Sequence, residues 1–83
     1  MAVFFHHHAR ERMQERGISP DEVETTIEHG ERFPAKFGRT GFRRNISFRG
    51  QWRGRDYNTK QVEAYAIQEG SNWLVITVIA RYF

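Results

Sequence analysis

The sequence predicts an α+β fold, with two N-terminal helices packed on one face of a four-stranded antiparallel sheet. Three observations carry that expectation. Residues 1–31 hold helix-spaced apolar positions and two helix stops. From Glu31 onward the apolar pattern changes to a period of two. Glycines at 38, 41, 50, 54 and 70 punctuate that second part. The 83 residues make one domain, 1–83, with a helical hairpin over 1–31 and an antiparallel sheet over 32–83.

Residues 4–16 read as a short helix. Ala9 and Met13 lie one turn apart on a narrow apolar stripe, and Gly17 is placed to end it. Ser19-Pro20-Asp21-Glu22 starts the second helix. Ser19 is the N-cap, Pro20 takes the first helical position and Glu22 completes a capping box. Val23 and Ile27 give this helix its buried face, and Gly30 stops it. Strands follow near 32–37, 42–49, 60–68 and 72–82, and residues 50–59 are a long hairpin loop or a short extra strand. Glu69-Gly70-Ser71-Asn72 is a tight turn. In the last strand the even positions Leu74, Ile76, Val78, Ala80 and Tyr82 should pack on the helices, with Thr77 and Arg81 on the opposite, open face.

The charge is divided unevenly. Residues 1–31 carry three arginines against seven acids, whereas residues 32–83 carry ten basic residues against three acids. Arg32, Lys36, Arg39, Arg43, Arg44, Arg49, Arg53 and Arg55 follow one another with no acid between them, interleaved with Phe33, Phe37, Phe42, Phe48 and Trp52. Such a surface attracts polyanions, and arginines beside aromatics suit single-stranded nucleic acid, whose phosphates meet the charges while bases stack on the rings. The alternative is a sheet whose solvated face is simply basic. There is no cysteine, which excludes disulfides and thiolate zinc sites. No apolar run has the length to span a bilayer, and no signal-peptide pattern opens the chain, so a cytoplasmic protein without membrane contact is expected.

Several residues are candidates for chemistry. His6, His7 and His8 are consecutive, and on one helix successive side chains point about 100° apart, so no metal site is expected. No cofactor is expected either. His8 lies one turn before Arg12, and a neutral imidazole is a usable general base near neutral pH, although a lone surface histidine is more often inert. Lys60 and Tyr65 lie on a strand that should pair with the strand of Thr77.

The segment His8-Ala9-Arg10-Glu11-Arg12-Met13-Gln14-Glu15-Arg16-Gly17-Ile18-Ser19 resembles the opening of the DUF4258 family, whose pattern runs H-A-x-x-R-M-x-x-R-G-I-S. Val23, the helix end from Ile27 to Gly30, and Val75-Ile76-Thr77-Val78 also match in order and kind. The family resembles the barnase–EndoU–colicin–RelE (BECR) group of small folds, many of whose members are metal-independent ribonucleases used as toxins. The resemblance thus implies RNA cleavage, with His8 and Thr77 at positions that matter.

The leading expectation is a metal-independent endoribonuclease, the toxin of a toxin–antitoxin pair. His8 would be the general base or acid and Lys60 or Tyr65 the second proton carrier. Arg12, Arg43 and Arg81 would hold the scissile phosphate, which Thr77 would orient. Arg39, Arg44, Arg53 and Arg55 would extend the RNA surface. The expected partners are RNA and either a cognate antitoxin protein or a second copy of the chain. Two rivals share the electrostatics: a non-catalytic RNA-binding module, and a domain whose basic face meets an acidic protein.

Overall fold

The computed structural model describes residues 1–83. The order is strand β1 (Val3–Phe5), helix α1 (His7–Arg16), helix α2 (Pro20–His29), strand β2 (Glu31–Pro34), a short 3-10 turn (Lys36–Gly38), then strands β3 (Thr40–Trp52), β4 (Arg55–Glu69) and β5 (Asn72–Tyr82). They form one sheet ordered β1-β5-β4-β3-β2. The α+β class and the two helices are as expected. The sheet, however, is five-stranded and mixed, because β1 runs parallel to β5 and pairs Val3 with Trp73 and Phe5 with Val75. A three-residue strand has too few positions to display a period, so the sequence reading runs the first helix back to residue 4. The helix starts at His7 because His6 is its N-cap, in an extended conformation with its Nδ1 accepting the His8 N–H at 3.2 Å.

The second helix begins as predicted. Ser19 Oγ accepts the Glu22 N–H and Glu22 Oε1 accepts the Ser19 N–H, which satisfies donors that a helix start otherwise leaves bare. Gly17 ends α1 in the left-handed region, φ 68°. Gly30 ends α2 for a different reason. Its φ is −77°, but a Cβ there would lie 2.4 Å from the Thr26 carbonyl oxygen and 2.7 Å from that of Arg43, so only glycine lets the chain turn so close to β3.

Both helices lie on one face of the sheet. Ala9, Met13, Ile18, Val23 and Ile27 pack with Phe42, Val62, Ala64, Ala66, Trp73, Val75 and Val78 to form the core. In β5 the expected even-numbered face holds only from Val78 onward. Thr77 pairs with Tyr65 but Val75 pairs with Ala66, leaving Ile76 as an unpaired bulge residue. The bulge reverses the alternation, so Trp73 and Val75 are the core residues before it, in place of Leu74 and Ile76. Thr77 and Arg81 stay on the open face, as predicted.

Residues 50–59 are not a loop. β3 and β4 continue to a two-residue turn at Arg53-Gly54, with Trp52 opposite Arg55. Both turn residues have positive φ, 53° and 80°, the geometry that matches the twist of a hairpin. The hairpin tip folds over α1, where Trp52 stacks on Tyr82 at 5.0 Å. Beside this stack Lys60 is buried, 3% exposed. Its ammonium donates to the Gly17 carbonyl oxygen and, at 2.8 Å, to Glu22 Oε1. Replacing Lys60 with Met fills the space of the stem but leaves both acceptors without their donor. Urea unfolding of Lys60→Met should show a loss of roughly 2–3 kcal/mol. Wild-type stability in that variant would mean that the ammonium contributes nothing to the fold.

Candidate functional site

The face of the sheet away from the helices carries a compact polar cluster. Alternation along β4 places Gln61, Glu63 and Tyr65 on this face, and their cross-strand neighbours are Asn45, Arg43 and Gly41 on β3 and Arg81, Ile79 and Thr77 on β5. At the centre lies Glu63, 2% exposed although its side of the sheet carries no helix. Its Oε1 accepts the Tyr65 hydroxyl at 2.9 Å and Arg43 Nη2 at 3.4 Å. Its Oε2 accepts Arg81 Nη1. Both guanidiniums remain partly in solvent, Arg43 at 39% and Arg81 at 57%. Arg43 also reaches the exposed Glu31 at 3.5 Å, and Arg81 reaches Gln61 Oε1 at 3.4 Å. Phe33 closes one side, edge-on to Tyr65 and under the Arg43 guanidinium at 4.7 Å. Its ring fits over β3 because Gly41 has no side chain, since a Cβ there would lie 2.3 Å from it.

The environment shifts two protons in opposite directions. Burial pushes the Glu63 carboxyl up, but the Tyr65 hydroxyl and the charges of Arg81 and Arg43 outweigh it, so its pKa falls below the ordinary 4.5. Burial raises the Tyr65 phenol above its ordinary 10.0, and the hydrogen bond to the Glu63 carboxylate raises it further. Near neutral pH the cluster therefore offers an anionic acceptor, a neutral hydroxyl and two cations within one side-chain length.

The profile of a family described as a domain of unknown function, DUF4258, matches residues 5–80. The chain belongs to the DUF4258 family. No curated protein and no solved structure is significantly similar to it. Within this DUF4258 domain the matched span includes Arg43, Glu63, Tyr65 and Thr77, and it ends one residue before Arg81.

The structure brings together four of the residues singled out from the sequence, Arg43, Tyr65, Thr77 and Arg81, and separates the others. His8 is exposed on α1, and Arg12 on the same helix pairs with Glu15 at 3.1 Å. Both belong to the helical layer, across the sheet from Tyr65 and Thr77. Lys60 faces the helices as well and is spent on Gly17 and Glu22. Arg53 at the hairpin tip donates to the Glu15 carbonyl oxygen, and Arg55 is exposed beside it. Arg44 lies on the helix face, opposite Val62. Arg39 borders the Tyr65 side of the cluster. One ring nitrogen from each of His6, His7 and His8 lies within 4.8 Å of the others, with His6 outside the helix as its N-cap.

Glu63 itself is absent from the residues the sequence suggests. The signal for it was modest: an acid in a basic half of the chain, flanked by apolar Val62 and Ala64 and in phase with Tyr65. Because its folded pKa is depressed, its contribution to stability is complete above about pH 4.5 and disappears as pH falls through the folded value. In thermal melts between pH 7 and 2, wild type should lose its advantage over Glu63→Gln as the pH drops below 4.5. A constant difference between the two proteins would mean that Glu63 titrates normally.

Proposed function

We propose that the open face of the sheet binds single-stranded RNA and cleaves it without a metal ion. The observation that carries this reading is the buried Glu63 carboxylate, held between Arg43, Arg81 and Tyr65 on a face that is otherwise open. Cleavage of RNA by its own 2′-hydroxyl needs a base for the 2′ proton, an acid for the departing 5′ oxygen and cations for the charge on the phosphorane. The 2′ oxygen attacks phosphorus as its proton passes to Glu63. The bond from phosphorus to the 5′ oxygen breaks as Tyr65 supplies that oxygen with a proton. The products are a 2′,3′-cyclic phosphate and a 5′-hydroxyl end.

The depressed pKa of Glu63 makes it a poor base in the free protein, and substrate changes that. A phosphate entering between Arg43 and Arg81 competes for the same guanidiniums. Each hydrogen bond they transfer to it removes stabilisation from the carboxylate and raises its basicity. Thr77, across from Tyr65, would donate a hydroxyl hydrogen bond to the phosphate. In this reading His8, on the helical layer, takes no part. The role of a toxin held by a protein antitoxin fits such an activity and belongs to the same proposal.

The same geometry also supports an RNA-binding module without turnover, because a carboxylate with every partner satisfied is suited to holding two arginines in place. The Glu63→Gln variant separates the two. Incubated with labelled single-stranded RNA in EDTA, wild type should cleave and Glu63→Gln should be slower by about 10²–10⁴-fold. Its RNA affinity should be equal or higher, since an anion beside the phosphate site is gone. Binding by both proteins with cleavage by neither selects the module.

The pH profile of kcat/KM gives an independent check. With Glu63 below 4.5 and Tyr65 above 10, it should be broad and flat through neutrality. An inflection near about 6.5, lost in His8→Ala, would return the proton transfer to a histidine.

A further inference from the structure

Next to Tyr65 the sheet face opens into a groove of about 420 Å³, walled by Phe33, Pro34, Phe37 and Tyr65 and edged by Lys36 and Arg39. Two features of this groove are unexplained by the fold. Phe37 stands in the left-handed region, φ 62° and ψ 35°, which a bulky residue rarely adopts. The residue is nevertheless 84% exposed, so the strained backbone is not offset by burial. The second feature is Arg39. Its guanidinium lies over the Phe37 ring at 5.6 Å, while its Nε is enclosed and has no acceptor.

We infer that this groove is a nucleobase subsite, in which the base next to the phosphate held by Arg43 and Arg81 stacks on Phe37 beside the Arg39 guanidinium. The inference rests on the RNA reading of the same face. Continuity supports this occupant, since Tyr65 lines the groove and also donates to Glu63, so a base seated here is one nucleotide's reach from the clamped carboxylate. Charge supports it too. Lys36 and Arg39 favour a ligand that brings phosphates, and an exposed aromatic beside arginine is the arrangement that takes an unpaired base. A base inserted here would cover the Phe37 ring, which the folded chain leaves exposed, and lie against the Arg39 guanidinium.

The test is an NMR titration of the ¹⁵N-labelled protein with nucleoside 5′-monophosphates and, separately, with ribose 5-phosphate. Each monophosphate should bind roughly 5- to 150-fold tighter than ribose 5-phosphate, the range that base stacking provides, with shifts at residues 33–39 and at the Arg39 Nε–H. Phe37→Asn keeps a residue that tolerates the left-handed turn and removes the ring, so it should fold normally and erase that preference. Phe37→Trp should retain it. Equal affinities for the two ligands in wild type, or an unchanged preference in Phe37→Asn, would overturn the subsite. Cleavage assays keep this result separate from the nuclease reading. Base preference without cleavage leaves the subsite standing and removes the nuclease. Cleavage whose KM is the same in Phe37→Asn removes the subsite and leaves the nuclease.

Discussion

One ammonium group ties the two layers of this protein together. Lys60 Nζ donates to the carbonyl oxygen of Gly17, at the end of α1, and to the Glu22 carboxylate in the first turn of α2. The Gly17 carbonyl is among the acceptors that a helix C-terminus leaves bare, and Glu22 is already committed to the Ser19 N–H as half of the capping box. The corner between the helices is thus fixed to the sheet through groups that local structure has already oriented. Around it Tyr82 donates its hydroxyl to the Arg16 carbonyl at 2.6 Å, and Trp52 stacks on Tyr82 in the space that Gly17 leaves. A small core of mostly medium-sized side chains is pinned in this way at the end where the hairpin leaves the main body.

The same strand makes the candidate site. Lys60 and Glu63 are three residues apart on β4, so a period of two places them on opposite faces. The cation serves the helices and the anion gathers Arg43, Arg81 and Tyr65 on the other side. The Ile76 bulge completes the arrangement. It reverses the facing of β5, so Trp73 and Val75 reach the core at one end while Thr77 and Arg81 stand beside Tyr65 and Glu63 at the other. Without the bulge, a strand that buries Trp73 and Val75 would also turn Thr77 and Arg81 toward the helices.

The parts of this fold that were legible in the sequence are those written in local chemistry. Ser19-Pro20-Asp21-Glu22 specifies a helix start through bonds made within four residues, and Gly17 marks a stop by its freedom at positive φ. The alternation after Glu31 gives the strands, and it puts Thr77 and Arg81 on the face away from the helices, where they lie. What escaped has non-local causes. β1 exists because β5 offers it an edge, and nothing in Val3-Phe4-Phe5 alone distinguishes it from a helix lead-in. The Ile76 bulge lies at the end of the apolar run Trp73–Ile76 with no glycine to mark it. Counting charge drew attention to the arginines and away from Glu63, the residue they surround. Lys60 was singled out for lying on the strand beside that of Thr77, but it faces the helices, where its charge is consumed by the fold. His8 stood out through its place in the family pattern, which fixes its position in α1 and says nothing of which face of the sheet lies nearest.

If the open face binds an anion, as proposed, Glu63 also sets a conflict between stability and binding there. Its carboxylate holds Arg43 and Arg81 close together, where their like charges would otherwise repel, and so keeps a cationic pair ready before any ligand arrives. The same carboxylate occupies the donors that an anion needs. On the proposed reading, a phosphate that enters must replace bonds already made, so its affinity would be lower than two free guanidiniums would give, and the difference would appear as increased basicity of the carboxylate. An apolar side chain between Val62 and Ala64 would avoid the cost of burying a charge. On the proposed reading, the buried carboxylate, with its cations reaching into solvent and its tyrosine proton kept in place by a raised pKa, is set to respond to a ligand that carries negative charge to this face.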